Sequence, residues 1–256
     1  MKALLHYRAS DGFRAMLARH AEASGVEAVV VDEDDEAALA REIADTAVLL
    51  HVLKPVTAVM LGAAPRLRLV QKLGVGVNTI DLEAARAAGI AVANMPGTNS
   101  QAVAEMTLAL MLSVLRRLSY LDPLTRAGQG WSPDPALIDG AGEIAGRTVG
   151  FVGYGAAPSR LAAALEALGA QVIYAARTPK PELPGRRVSF QALLAEADIV
   201  SLHIPLTDET ERMIGRQALA AMRPGAILIN TARGGLVDEA ALVEALTSGR
   251  LAGAGP

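Results

Sequence analysis

Thr148-Val149-Gly150-Phe151-Val152-Gly153-Tyr154-Gly155 carries an apolar run straight into a pair of glycines. An uninterrupted run fits a parallel strand covered on both faces, because a half-exposed strand would alternate apolar with polar. Gly153 permits a tight turn and Gly155 lets main chain approach a ligand closely. The helix predicted at 159–168 then brings free N–H groups and partial positive charge. Strand, glycine turn and helix in this order form a cradle for the pyrophosphate of a dinucleotide; the plain alternative is the same unit with no ligand. Pro158 stands where the third glycine of the fingerprint belongs. Proline suits the first turn of a helix, where its missing N–H would be unpaired, yet it is bulkier than glycine and removes one phosphate donor.

The same alternation extends both ways from this stretch. Downstream, apolar runs at 172–175, 199–203 and 226–230 are predicted strands, helices are predicted at 190–195, 216–222 and 239–247, and 251–256 reads as a further strand beginning. Upstream, strands at 3–6, 28–31, 48–52, 67–73 and 90–93 alternate with helical stretches such as 12–23 and 82–88, closed by Gly25 and Gly89. This predicts an α/β chain with two lobes, the second a doubly wound parallel sheet of Rossmann type. Two turn-rich breaks, Pro96-Gly97-Thr98-Asn99-Ser100 and 127–146, flank a segment at 101–121 without Gly or Pro and apolar on most faces. A helix there must be covered, as a linker between domains or as a subunit interface. The expected division is 1–97, a linking helix at 98–126, and 127–256.

Composition narrows the function classes. A formal charge of −3 leaves no basic field to draw the chain onto nucleic acid or anionic lipid. The absence of cysteine removes disulfides, thiolate metal sites and a cysteine nucleophile, and no metal-ligand cluster is expected. The chain enters a short strand at once and shows no leader, and its longest apolar run, 106–115, is about half of what a membrane span requires. A soluble, cytoplasmic protein is expected.

The residue ending the second strand of the dinucleotide unit selects the cofactor, because a carboxylate there would bond the ribose 2′-OH of NAD. Here the place holds Ala175-Ala176-Arg177-Thr178. With no carboxylate to repel a 2′-phosphate, and with Arg177 and Thr178 available to bind one, NAD(P) is expected with NADP slightly favoured over NAD. The alternative is a merely solvated Arg177.

Several segments in register carry a wider likeness. Leu73-Gly74-Val75-Gly76-Val77-Asn78-Thr79-Ile80-Asp81, Asn94-Met95-Pro96-Gly97-Thr98-Asn99, Gly153-Tyr154-Gly155, His203-Ile204-Pro205-Leu206-Thr207 and Asn230-Thr231-Ala232-Arg233-Gly234-Gly235-Leu236-Val237-Asp238-Glu239 resemble the D-isomer-specific 2-hydroxyacid dehydrogenases, of the phosphoglycerate dehydrogenase and glyoxylate/hydroxypyruvate reductase type. The resemblance covers the chain from about residue 49 onward.

It implies a flavodoxin-like substrate domain before the Rossmann domain, and hydride transfer between a nicotinamide and a small 2-oxoacid or D-2-hydroxyacid. Arg233 would grip the substrate carboxylate, a task suited to a planar, always-charged guanidinium. Backbone N–H groups of Gly74-Val75-Gly76 would share that carboxylate, with Lys72 beside them either adding charge or lying on the surface. Ala156, Ala157, Ile204, Pro205 and Thr231 would line the dinucleotide. The family's Glu/His acid–base pair follows a strand that would begin near Gly255, so the resemblance implies a C-terminally incomplete chain, itself inactive. A homodimer through 101–121 is also implied. His6 and His20 read as structural, His51 as a residue able to touch substrate, and His203 as a cofactor neighbour that donates no proton. A non-catalytic or degenerate NAD(P)-binding relative is the alternative.

Overall fold

In the computed structural model, residues 1–132 and 134–255 are described; Pro133, in the second turn-rich break, and Pro256, closing the last apolar run, lie outside them. The chain divides into two units, Met1–Thr98 and Asn99–Pro256.

In the first unit the apolar runs become β1 (Lys2–His6), β2 (Glu27–Val31), β3 (Val48–His51), β4 (Leu69–Lys72) and β5 (Ala91–Ala93). All pair in parallel, in the order β2-β1-β3-β4-β5, which is the flavodoxin-like order with its reversal between β1 and β3. Four helices cross between them: α1 (Asp11–Ala23), α2 (Glu36–Ile43), α3 (Ala58–Gly62) and α4 (Leu82–Ala87). Each starts where a short polar side chain accepts a main-chain N–H: Ser10 from Phe13, Asp35 from Ala38, Thr57 from Met60 and Asp81 from Ala84. Such caps contribute about 1 kcal/mol apiece. Leu4, Leu49 and Val70, one from each central strand, are fully buried against Ile43, Leu61 and Ala85 from the helices.

The second unit opens with α5 (Ser100–Leu115), α6 (Leu118–Arg126) and α7 (Pro135–Asp139). A sheet follows, built from β6 (Thr148–Val152), β7 (Gln171–Ala175), β8 (Arg186–Arg187), β9 (Ile199–Leu202), β10 (Ala226–Asn230) and β11 (Leu251–Gly255), with α8 (Ala156–Ala167), α9 (Phe190–Glu196), α10 (Arg216–Ala221) and α11 (Glu239–Thr247) between them. Among the described residues the strand order is β11-β10-β9-β6-β7-β8, all parallel, which is the Rossmann order. Both faces are covered. Leu193, Leu219 and Ala241 from α9, α10 and α11 pack with Val200, Leu202 and Leu228 on one side. Met111 and Leu115 of α5 and Leu161 and Leu165 of α8 pack with Val149, Phe151 and Ile229 on the other. This double cover is why the strands read as continuous apolar runs.

Three expectations need correction. The helix predicted at 101–121 is two: α5 ends at Leu115, and Arg117 takes a left-handed conformation (φ 52°) before α6 begins. The buried stripe Ala104, Thr107, Met111, Leu115 runs out there, and Leu118 is exposed, so packing no longer rewards a straight continuation. The helix predicted at 159–168 begins three residues earlier, at Ala156, and Pro158 lies buried in its first turn. The last strand predicted at 251–256 is complete enough by Gly255 to pair with β10 along 226–229.

Candidate functional site

The order of the second sheet reverses between β6 and β9, and in open α/β sheets ligands settle beyond the carboxyl ends of the strands at such a reversal. Gly153 stands there. Its φ is +91°, and a Cβ on it would lie 2.5 Å from the carbonyl oxygen of His203 and 2.7 Å from Ile204 Cγ2. The end of β6 therefore approaches the end of β9 more closely than any side chain allows. The Gly153 N–H donates to the Ala175 carbonyl at 2.9 Å, which ties the turn to β7 as well. Gly155, the N-cap of α8, meets nothing within 4 Å on its Cβ side, and no side chain caps this helix. The first-turn N–H groups of Ala156 and Ala157 are thus not taken by a capping side chain, while Pro158 contributes none. A cradle with a bare wall at Gly155 and donors at its base suits a pyrophosphate.

Around this turn lies a concavity of about 580 Å³, whose wall joins Gly153, Gly155, Arg177, Thr178, Ile204 and Pro205. Six of the predicted cofactor residues are therefore brought together. Ala156 and Ala157 stand in the adjoining first turn of α8. The same wall contains Tyr154, Lys180, Arg187 and Ser189, which sequence reasoning passed over. Arg187 lies on β8, whose two exposed arginines offer no apolar signal. A search for cations near the end of the second strand would have found it.

Thr231 and Arg233 occupy a second concavity, of about 460 Å³, with Asn99, Val103, Met106 and Asn230. They sit past the end of β10, which pairs with β9, so the main chain there is two strand spacings, about 10 Å, across the sheet from β6. Asn230 braces this segment from both directions: its Nδ2 donates to the Arg233 carbonyl at 2.9 Å, and its Oδ1 accepts from the Ala232 N–H at 3.1 Å. The hydroxyls of Thr107 and Thr231 meet at 2.9 Å, and Arg233 Nη1 donates to the Ala232 carbonyl at 2.7 Å. Gly235 lets the following turn press on Leu206, since a Cβ there would lie 2.9 Å from Leu206 Cδ2. The partly buried guanidinium is held on a braced backbone, which is the arrangement needed to present a fixed fork to a carboxylate.

In the first unit, Lys72 ends β4 and Gly74, Val75 and Gly76 form the loop beyond it. The Gly74 carbonyl accepts from the Met95 N–H at 2.8 Å and the Val75 carbonyl from Asn94 Nδ2 at 2.7 Å, so the loop is pinned through its carbonyls. Lys72 is no surface lysine: it is buried, and its ammonium donates to the Val52 carbonyl. Strand register sets His6, His51 and Lys72 side by side across β1, β3 and β4, on one face at the carboxyl edge, with His6 and His51 spanning this sheet's own reversal point. All three are buried. His51 shares a hydrogen bond of 2.9 Å with Thr79 Oγ1, and burial, followed by the charge of Lys72, pushes its pKa down to about 4. Burial also lowers the pKa of His6.

His203, at the end of β9, bonds Ser201 Oγ at 2.9 Å and meets Phe151 edge-on at 5.4 Å. Burial pushes its pKa down to about 4, so its ring is neutral at ordinary pH. Among the described residues no group of three or more His, Cys, Asp or Glu is placed to hold a metal ion, and no helix is long and apolar enough to cross a membrane.

The family description "D-isomer specific 2-hydroxyacid dehydrogenase, NAD binding domain" matches residues 108–256. The chain belongs to this family. It is 42% identical over 206 residues to a glyoxylate reductase of Thermococcus litoralis, covering 77% of this chain and 61% of that protein. It is 40% identical over 235 residues to a D-3-phosphoglycerate dehydrogenase of Mycobacterium leprae, covering 90% of this chain and 44% of the relative. The chain therefore spans less than two thirds of the length of these relatives. Among solved structures, the TT0316 protein of Thermus thermophilus superposes with a TM-score of 0.88 at 39% identity, over 99% of this chain and 80% of that one. An NAD-dependent formate dehydrogenase of Staphylococcus aureus, in complex with NAD, gives 0.89 at 28% identity, over 99% and 80%.

Proposed function

We propose that this chain binds NAD(P), with NADP slightly favoured, and a small 2-oxoacid or D-2-hydroxyacid, as part of an oxidoreductase that passes a hydride between them. The observation carrying this reading is the pairing, on the carboxyl edge of one sheet, of a glycine turn too tight for any Cβ with a braced arginine two strands away. The bound dinucleotide supplies the hydride. Gly153, Gly155 and the first turn of α8 hold its diphosphate, and Ile204, Pro205 and Thr231 line its course. Arg233 clamps the acid's carboxylate and draws charge toward its keto oxygen; in the first unit, Lys72, Gly74, Val75 and Gly76 are proposed by themselves as substrate-binding residues. We assign the proton that accompanies the hydride to neither His203, which bonds Ser201, nor His51, which bonds Thr79, and among the described residues no histidine forms an ion pair with a carboxylate. The chain's own turnover of NADPH with glyoxylate, hydroxypyruvate or pyruvate is therefore expected to be negligible; turnover at an ordinary dehydrogenase rate, roughly 1 per second or faster, would refute that assignment.

Binding tests the reading directly. Calorimetric titration with NADPH and NADH should each give a saturable signal, NADPH at least as tight; two flat titrations would end it. With NADPH bound, the 2-oxoacid that binds best should bind roughly 10- to 100-fold more weakly to Arg233→Ala, the loss of a charge-assisted contact of about 1.5–3 kcal/mol. Arg233→Lys should recover only part, because it keeps the charge without the fork. Homodimerisation through the exposed Met106, Leu118 and Tyr120 of α5 and α6 belongs to the same proposal. A stable monomer in sedimentation would remove it.

A further inference from the structure

We propose that Arg187, with Arg177 and Lys180, forms the seat of a 2′-phosphate, and that Arg187 is the residue that makes the site discriminate NADP from NAD. This rests on the dinucleotide reading above and extends it to a residue on a strand outside the fingerprint.

The end of β7 carries no carboxylate for a ribose 2′-OH. Instead three cations, Arg177, Lys180 and Arg187, share the wall of the 580 Å³ concavity with the glycine turn, and no Asp or Glu among the described residues joins them. Outside that wall, the Glu209 carboxylate feels the charge of Arg177 and accepts a hydrogen bond from Thr207 Oγ1 at 2.7 Å. Like charges gathered in a small concavity repel one another unless an anion sits between them.

Arg187 differs from its companions in being fixed. β8 pairs with β7 in register Tyr174↔Arg187, and from there the side chain reaches forward along β7. Nε and Nη2 donate to the Ala176 carbonyl at 3.2 and 3.0 Å, and Nη2 donates to the Arg177 carbonyl at 3.0 Å. The guanidinium is held against the two residues where the ribose would lie, and Nη1 has no partner among the described residues. The loop returns to the same wall because the Lys180 N–H donates to the Tyr174 hydroxyl at 2.9 Å. A cation already oriented loses little freedom when the anion arrives, whereas the exposed Arg177 side chain, which makes no hydrogen bond among the described residues, must be ordered by it.

The test uses the full chain and two adenine nucleotides differing only in the 2′-phosphate, 2′,5′-ADP and 5′-AMP, titrated calorimetrically beside NADPH and NADH. The wild-type chain should bind 2′,5′-ADP measurably more tightly than 5′-AMP, by about twofold or more, with a preference that falls as salt rises. Arg187→Gln should bring that ratio to about one while changing the 5′-AMP affinity less than twofold, and Arg187→Lys should restore part of it. A wild-type ratio near one, or an Arg187→Gln ratio equal to the wild type, overturns the proposal, and the first of these needs no variant to fold. If the variant weakens both nucleotides equally, Arg187 serves only to shape the loop, and its role in discrimination is likewise refuted. If NADH, NADPH and 5′-AMP all fail to bind the wild type, the dinucleotide reading itself falls, a result distinct from NADH and NADPH binding alike.

Discussion

Gly153→Ala is expected to destabilise the second unit by roughly 3 kcal/mol or more and to remove measurable dinucleotide binding. Two costs add. At φ +91° an L-residue carries a backbone penalty on the order of 1–2 kcal/mol. The new methyl would also lie 2.5 Å from the His203 carbonyl oxygen, a backbone atom that cannot rotate away, so the ends of β6 and β9 must part. Those ends frame the switch point, and opening them dismantles the cradle. Gly155→Ala makes the contrast: its φ of −96° suits any residue, and the added methyl meets nothing within 4 Å. That variant should fold with a stability change of a few tenths of a kcal/mol, as at any exposed position, yet bind NADPH more weakly because the methyl intrudes where the diphosphate approaches. Urea unfolding and calorimetric titration of both variants separate the roles. A Gly153→Ala chain with the wild-type midpoint would contradict the close approach.

The contrast bears on how much the sequence discloses. Glycine after the 148–152 run was legible as a turn, because strand, glycine and helix follow one another locally. That Gly153 is required by the carbonyl of His203 was not, since His203 lies 50 residues on and its closeness follows only from the sheet order. The two sheets were legible for the same local reason: strands covered on both faces leave continuous apolar runs. What escaped was built from polar or short segments. The helix α2 follows an acidic run, and only Asp35 ahead of Ala38 and Leu39 marks its start. The strand β8 consists of two arginines held by pairing with β7. Lys72 looked as much like a surface residue as a site residue, because a lysine in a four-residue strand says nothing about which face it takes; register with His51 puts it on the buried one. Candidate residues on consecutive positions were therefore readable as candidates, and those brought together by strand pairing were not.

Acidification supplies the second large effect, and it comes from that buried row. The folded-state pKa of His51 is depressed to about 4 from an ordinary 6.5, by burial first and the charge of Lys72 second. Between those two values the unfolded chain takes up a proton that the folded chain refuses, so stability is fully present above pH 6.5 and drains away as pH falls toward 4. Over about 2.5 pKa units the loss is on the order of 3 kcal/mol for the first unit, a large share of a typical domain's 5–15 kcal/mol. His203 contributes with the same sign in the second unit, since burial holds it at about 4 as well, and the lowered pKa of His6 adds in the first. The lowered carboxyls of Asp32 and Asp45 act later, giving up their contribution only as pH drops through the carboxylate range. Urea midpoints should thus decline from pH 7 to 4.5, before carboxylates matter much. His51→Gln, which keeps a donor for Thr79 but cannot ionise, should flatten the first unit's decline while lowering its stability at pH 7.5 through imperfect packing. A midpoint independent of pH across this window, or a His51→Gln chain with the wild-type slope, would show that these rings are not held neutral by the fold.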